Sequence, residues 1–150
     1  MRDTIIMAKV KDVCISEKKG EQKHPVDEVL LKVDHGIVGD AHAGNWHRQV
    51  SLLAAESVAK VQKALNFELK SGDFAENILT EGIELFTLPI GTKLQIGEAV
   101  GEVTQIGKEC HQGCAIRELA GDCVMPREGI FVKVLKEGKV KAGDEIKVIA

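Results

Sequence analysis

The chain has 150 residues, of which 44% are apolar and 29% charged, and it carries a formal net charge of −3. That length suits one domain with a sizeable core, and the charge balance excludes both the signature of disorder and a strongly basic nucleic-acid surface. No run of about 18 apolar residues marks a membrane span. The opening "MRDTIIMAKVKDVCISEKKG" has no apolar stretch leading to a cleavage site, so a cytoplasmic protein is expected, with neither nucleic acid nor membrane as partner. Thiols are normally kept reduced there, so Cys14, Cys110, Cys114 and Cys123 are read as free thiols or ligands before disulfides.

Short β-type segments broken by glycine and charged pairs dominate the chain. They predict a mainly β fold, a glycine-punctuated antiparallel sheet closed into a barrel, with one or two short helices. "TIIMAKVKDVCI" (4–15) alternates in its second half and reads as the first strand. "SEKKGEQKHP" (16–25) is polar throughout and reads as a solvated loop. "VDEVLLKVDHGIVGD" (26–40) is a second strand ending in a glycine-bearing turn, and "RQVSLLA" (48–54) is a short buried strand. In "AAESVAKVQKAL" (54–65), Val58, Val61 and Leu65 fall on one face of an amphipathic helix.

Residues 72–107 hold glycine at 82, 91, 97, 101 and 107 between alternating pieces, which predicts hairpins, with Pro89 confined to a turn or edge. "CAIRELAG" (114–121) has the length of a short helix stopped by Gly121. "GIFVKVLKEGKVKAGDEIKVIA" (129–150) reads as strand, turn and strand, with Gly143-Asp144 as a further turn. No internal repeat or linker divides residues 1–150, so a single domain is expected.

Three clusters carry candidate chemistry. In "GDAHAGNWHRQ" (39–49), Asp40, His42 and His47 have metal-ligating side chains and Arg48 suits an anion, but the spacing D-x-H-x4-H matches no standard metal site. A turn network and the rim of a small-molecule pocket are the competing readings. "SGDFAENI" (71–78) brings Asp73, Glu76 and Asn77 together, either for acid–base chemistry or with Asp73 capping a turn and Asn77 bonding backbone. "GKECHQGCAI" (107–116) sets Cys110, His111 and Cys114 close together.

That last spacing lacks the paired C-x2-C knuckles of structural zinc and the C-x-x-C of a thioredoxin-type redox site. A nucleophilic or sulfur-carrying thiol, or space-filling cysteines, remain. A free thiol with pKa of about 8.5 needs neighbouring positive charge to be usefully ionised. Lys108 and His111 flank Cys110, which follows a strand, while Cys114 precedes apolar Ala115 and Ile116.

Six pieces in order, "GIVGDAHAG", "RQVSLLAAES", "GDFAENILTEGI", "LPIGTKLQIG", "VTQIGKEC" and "GIFVKVLKEGKVKAGDEIKV", resemble the MOSC domain family, named for the C-terminal domain of molybdenum cofactor sulfurase. The resemblance covers residues 36–148 and implies a stand-alone β-barrel-like domain with a pocket built from loops. It implies association with the molybdenum–pterin cofactor, and a sulfur-carrying persulfide on the cysteine after the "VTQ" strand, here Cys110. Where the family often has proline, this chain has Glu109, whose charge opposes thiolate formation.

By the same resemblance, Asp40, His42, Arg48, Gln49, Asp73, Glu76, Asn77 and Lys108 line or brace the ligand site, with Arg48 on a phosphate group. Arg117 and Arg127 are weaker candidates. The implied partners are a cysteine desulfurase-type sulfur donor, which alone would hold pyridoxal phosphate, and a molybdoenzyme or cofactor-biosynthesis protein. The alternatives are a molybdenum-cofactor binding module, a zinc-stabilised domain using Cys110, His111, Cys114 and Cys123, and a reductase component acting on N-hydroxylated compounds.

Overall fold

The computed structural model of the chain describes residues 8–18, 22–107 and 128–149. Strand β1 (Ala8–Ile15) is followed by β2 (His24–Val26), β3 (Glu28–Lys32), β4 (Gly36–Ile37) and β5 (Val50–Ala54). Helix α1 (Ala55–Gln62), β6 (Ile78–Glu81), a 3-10 turn (Leu85–Thr87), β7 (Lys93–Ile96) and β8 (Ala99–Ile106) come next. After residues 108–127 the chain continues as β9 (Ile130–Lys136), β10 (Gly138–Lys141) and β11 (Glu145–Val148). The helix expected over 114–121 lies outside the described residues.

Seven strands close into a barrel in the order β11-β7-β8-β9-β5-β6-β1, with β11 pairing back to β1 through Ala8↔Ile146, while β2 extends the sheet beside β1. The predicted β class and barrel closure are therefore observed. Closure removes the free edges that an open sheet of this length would expose. Within residues 72–107 only β7 and β8 form a hairpin; β6 runs parallel to β5 (Leu52↔Ile78), with α1 as the crossover. The segment 26–40 splits at Asp34, which has φ 61, into β3 and β4, and these join β10 in a second, three-stranded sheet.

The alternating pattern has a direct structural cause. Val10, Leu52, Ile78, Leu94, Ile96, Val103, Ile130 and Val132 point into the barrel and form its main core. Strand β5 is buried along its whole length because both faces are covered: Leu52 faces inward, and Leu53 faces a second cluster with Val61, Phe74 and Phe131. Val58 and Leu65 of the predicted apolar helix face pack against that cluster. At about 25 cal/mol per Å² of apolar surface, each fully buried Leu or Ile contributes roughly 1.5–3 kcal/mol.

The stretch 16–25, expected to be a solvated loop, is exposed at Glu17, Lys18, Gln22, His24 and Pro25 but is corrected at two residues and at its end. Ser16 is buried, Lys23 is only 4% exposed, and His24–Val26 pair with β1 as a strand. Lys23 is bracketed by the loop that carries Gly72: its N–H donates to the Gly72 carbonyl at 2.9 Å. A Cβ on Gly72, at φ +92, would lie 2.1 Å from the Lys23 carbonyl oxygen, so only glycine fits there.

Candidate functional site

The loop between β4 and β5 holds the first predicted cluster and is anchored at both ends. Its first half docks on β1 and the Lys23 segment through Asp40, which is 7% exposed. The Asp40 carboxylate accepts the Lys23 ammonium at 2.7 Å, the Ser16 N–H at 3.1 Å and the His42 N–H at 3.1 Å. Burial by itself raises the Asp40 pKa, but the Lys23 hydrogen bond, the Ser16 N–H and the Lys23 charge outweigh it and hold the carboxyl below its ordinary value. The Lys23 side chain is 1% exposed, so this is an ion pair removed from water.

Lys23 also donates to Ser16 Oγ at 3.1 Å and lies 3.0 Å from His42 Nδ1. With Asp40, these are three acceptors for three ammonium protons. The His42 carbonyl in turn accepts the indole N–H of Trp46 at 2.9 Å.

The second half of the loop crosses to β8 and β9. The Arg48 guanidinium stacks on Trp46, 4.7 Å from the ring centroid, and on Phe131 at 5.8 Å. Its Nε is buried and has no hydrogen-bond partner among the described residues. Two aromatic rings thus lie against a cation whose Nε–H is unused among the described residues, an arrangement suited to receiving an anion. His47 Nε2 lies 3.0 Å from Gln105 Oε1, and the Gln105 amide donates to the Gly107 carbonyl at 2.7 Å.

The β8–β9 register shifts between Val103 and Gln105. That irregularity turns the Thr104 hydroxyl to the carbonyls of His47 and of Phe131, the latter at 3.2 Å. Gly107, at the end of this strand, donates its N–H to the Gly129 carbonyl at 2.6 Å. Gly107 and Gly129 flank the connection that carries Lys108, Glu109, Cys110, His111, Cys114, Arg117, Cys123 and Arg127. Those residues themselves lie outside the described ones.

The other predicted residues bond inward. Gln49, 2% exposed, accepts the Val134 N–H at 2.9 Å and ties the loop's end to β9. The Asn77 amide accepts the Ser51 N–H at 3.0 Å and donates to the Cys14 carbonyl at 3.1 Å, joining β5 to β1. Asp73 accepts the Lys70 N–H at 2.8 Å, the turn cap that was one of its two readings.

Glu76, 1% exposed, accepts the Gly72 N–H at 2.7 Å and the Phe74 N–H at 3.1 Å. Burial pushes its pKa up to about 7 despite those two donors. Cys14, the free cysteine among the described residues, is pushed up to about 12, chiefly by burial and then by Glu76 and Asp12, and so stays a protonated thiol.

Among the described residues no group of three or more His, Cys, Asp or Glu side chains is placed to hold a metal, so Asp40, His42 and His47 do not converge as ligands. Sequence reasoning missed Lys23, Trp46, Thr104, Gln105 and Phe131. Trp46 is the chain's single tryptophan, between two histidines and next to Arg48 in a glycine-rich loop, and that context was the available signal. Lys23 gave none, sitting in a polar run.

No curated protein matches the chain. Among solved structures, the YuaD protein from Bacillus subtilis is similar with a TM-score of 0.77 at 20% identity, covering 93% of this chain and 94% of that one. YiiM from Geobacillus stearothermophilus has a TM-score of 0.71 at 15% identity, covering 95% of this chain and 75% of its own. YiiM from Escherichia coli has 0.68 at 20% identity, covering 96% and 70%. The family model of the MOSC domain matches residues 39–147, which run from the anchored loop through the last strand. The chain belongs to the MOSC domain family and is a molybdenum-cofactor-related domain.

Proposed function

We propose that the protein is a sulfur carrier for molybdenum-cofactor chemistry, with Cys110 as the persulfide-bearing thiol and the loop of residues 38–49 as its anion-holding wall. The observation that carries the ligand half is Arg48, set against Trp46 and Phe131 with a buried Nε that has no partner among the described residues. A pterin cofactor's phosphate is a fitting acceptor for such a guanidinium, through charge-assisted hydrogen bonds. His42 and Lys108 join Arg48 at the ligand, while Asp40, Gln49, Asp73, Glu76 and Asn77 support it from within the fold. When bound, the cofactor supplies a metal centre able to accept sulfur.

The chain's own chemistry is the loading step. The Cys110 thiolate attacks the terminal sulfur of a persulfide on a cysteine desulfurase-type donor. A new sulfur–sulfur bond forms on Cys110 as the donor's breaks, and the donor cysteine leaves as thiolate. Lys108, two positions before Cys110 in sequence, favours the thiolate, whereas the adjacent Glu109 opposes it. Pyridoxal phosphate belongs to the donor alone. A molybdoenzyme or cofactor-biosynthesis protein in the cytoplasm would receive the sulfur.

A second reading, a binding module that holds the cofactor without moving sulfur, is favoured by the same Arg48 arrangement, which needs no thiol, and by Glu109. Intact-protein mass spectrometry after incubation with a cysteine desulfurase and cysteine separates the two. The carrier reading expects sulfane sulfur on the native chain and none on Cys110→Ser; equal loading of both refutes it. Cofactor retained equally by native protein and Cys110→Ser, with no sulfur on either, establishes the binding module.

A further inference from the structure

We infer that Lys23 is a positioning residue that fixes His42 as a neutral imidazole protonated at Nε2, so that His42 can only donate a hydrogen bond and never ligates a metal through that nitrogen. The geometry is that of a saturated ammonium. The Lys23 Nζ has three protons and three acceptors, Asp40 Oδ1 at 2.7 Å, Ser16 Oγ at 3.1 Å and His42 Nδ1 at 3.0 Å. Asp40 forms a direct ion pair with Lys23 and has no exposed carboxylate surface. A charged ammonium has no lone pair to offer, so the Nδ1 beside it must be the acceptor, and the ring proton resides on Nε2.

A second proton at Nδ1 would face the ammonium at 3.0 Å, which also opposes the imidazolium. A histidine that binds a cation through Nε2 carries its proton on Nδ1 and gives it to an acceptor. Here that position is occupied by a donor, the reverse arrangement. The ring is further held by its own chain: the His42 N–H bonds Asp40 Oδ2 at 3.1 Å, and the His42 carbonyl bonds the Trp46 indole at 2.9 Å. Trp46 is one of the two rings beneath Arg48. A set of contacts thus runs from the buried ion pair through His42 and Trp46 to the Arg48 guanidinium.

The inference rests on the proposed ligand site, and its test is independent of sulfur loading. With histidine labelled in nitrogen-15, long-range proton–nitrogen correlation at neutral pH reports which ring nitrogen carries the proton. His42 is assigned by the signals lost in His42→Gln. The native protein is expected to show the Nε2-protonated pattern alone; an Nδ1-protonated or doubly protonated ring overturns the inference. In Lys23→Met the exclusive pattern should give way to a mixture, and a folded variant that keeps it unchanged assigns the lock to something else and overturns the role of Lys23.

If Lys23→Met does not fold, zinc chloride added to the native protein decides the donor-only consequence. The His42 Nε2–H signal should persist through the titration, and its loss on metal binding refutes the claim. A wrong tautomer leaves the sulfur-carrier reading standing, and failed loading of Cys110 leaves this one standing.

Discussion

The Lys23–Asp40 pair gives the sharpest stability prediction, in the substitution Asp40→Asn. The shape is kept and an amide oxygen remains for one of the three donors, but the charge opposite a 1%-exposed ammonium is gone. Breaking a buried pair by neutralising one partner costs about 3–5 kcal/mol, because the remaining charge is left desolvated and alone. Against a typical domain stability of about 5–15 kcal/mol this is a large fraction. At about 1.4 kcal/mol per tenfold, the unfolding equilibrium shifts by roughly a thousandfold.

Urea denaturation at neutral pH, with the slope checked for constancy, measures it. Lys23→Met should be similarly costly. The double variant should recover part of the loss, with a coupling energy of at least about 1 kcal/mol, since neither charge is then unpaired. Because the Asp40 pKa is held below its ordinary value of 3.8, the native protein keeps this stabilisation above that pH and loses it on acidification through the lower folded value, a loss that Asp40→Asn should not show. A cost below about 1 kcal/mol for Asp40→Asn, or strict additivity of the two substitutions, would refute the buried-pair account.

Two further outcomes follow from the neighbouring loop. Glu76 rises from 4.5 unfolded to about 7 folded, so its contribution is fully present below pH 4.5 and lost as pH rises through about 7, a decline of about 3 kcal/mol. Denaturation midpoints across that window should show this slope in the native chain and a flattened one in Glu76→Gln; superimposable profiles would disprove it. Gly72→Ala combines a φ of +92 with a Cβ 2.1 Å from the Lys23 carbonyl oxygen. It should lower stability by more than the roughly 1–3 kcal/mol of backbone strain alone, and a melting temperature within error of the native one would count against the packing described.

The MOSC resemblance, the β class, most of the described strands and the helix at Ala55–Gln62 were legible in the sequence, because each rests on local order. The alternation in β1 follows the two-residue period of a pleated strand, and the spacing of Val58, Val61 and Leu65 follows the helical one. Glycines at positive φ, such as those at 82, 91 and 97, marked the turns in the same local way. Asp40, His42 and Arg48 stood out by residue type and glycine context.

Tertiary structure alone decided what those residues face. Lys23 looked solvated because its neighbours are polar, yet its Asp40 partner lies 17 positions away and only the docking of the β4–β5 loop against the end of β1 brings the two together out of water. The wholly buried β5 gave no sign of running parallel to β6, since a strand buried on both faces carries no alternation to reveal its partners. Arg48 found its stacking partner Phe131 more than eighty residues along the chain, across the bulged β8–β9 pair. Local periodicity encodes which face of an element is apolar; which charges meet, and which donor is left unpaired, is set by long-range packing that no window of sequence contains.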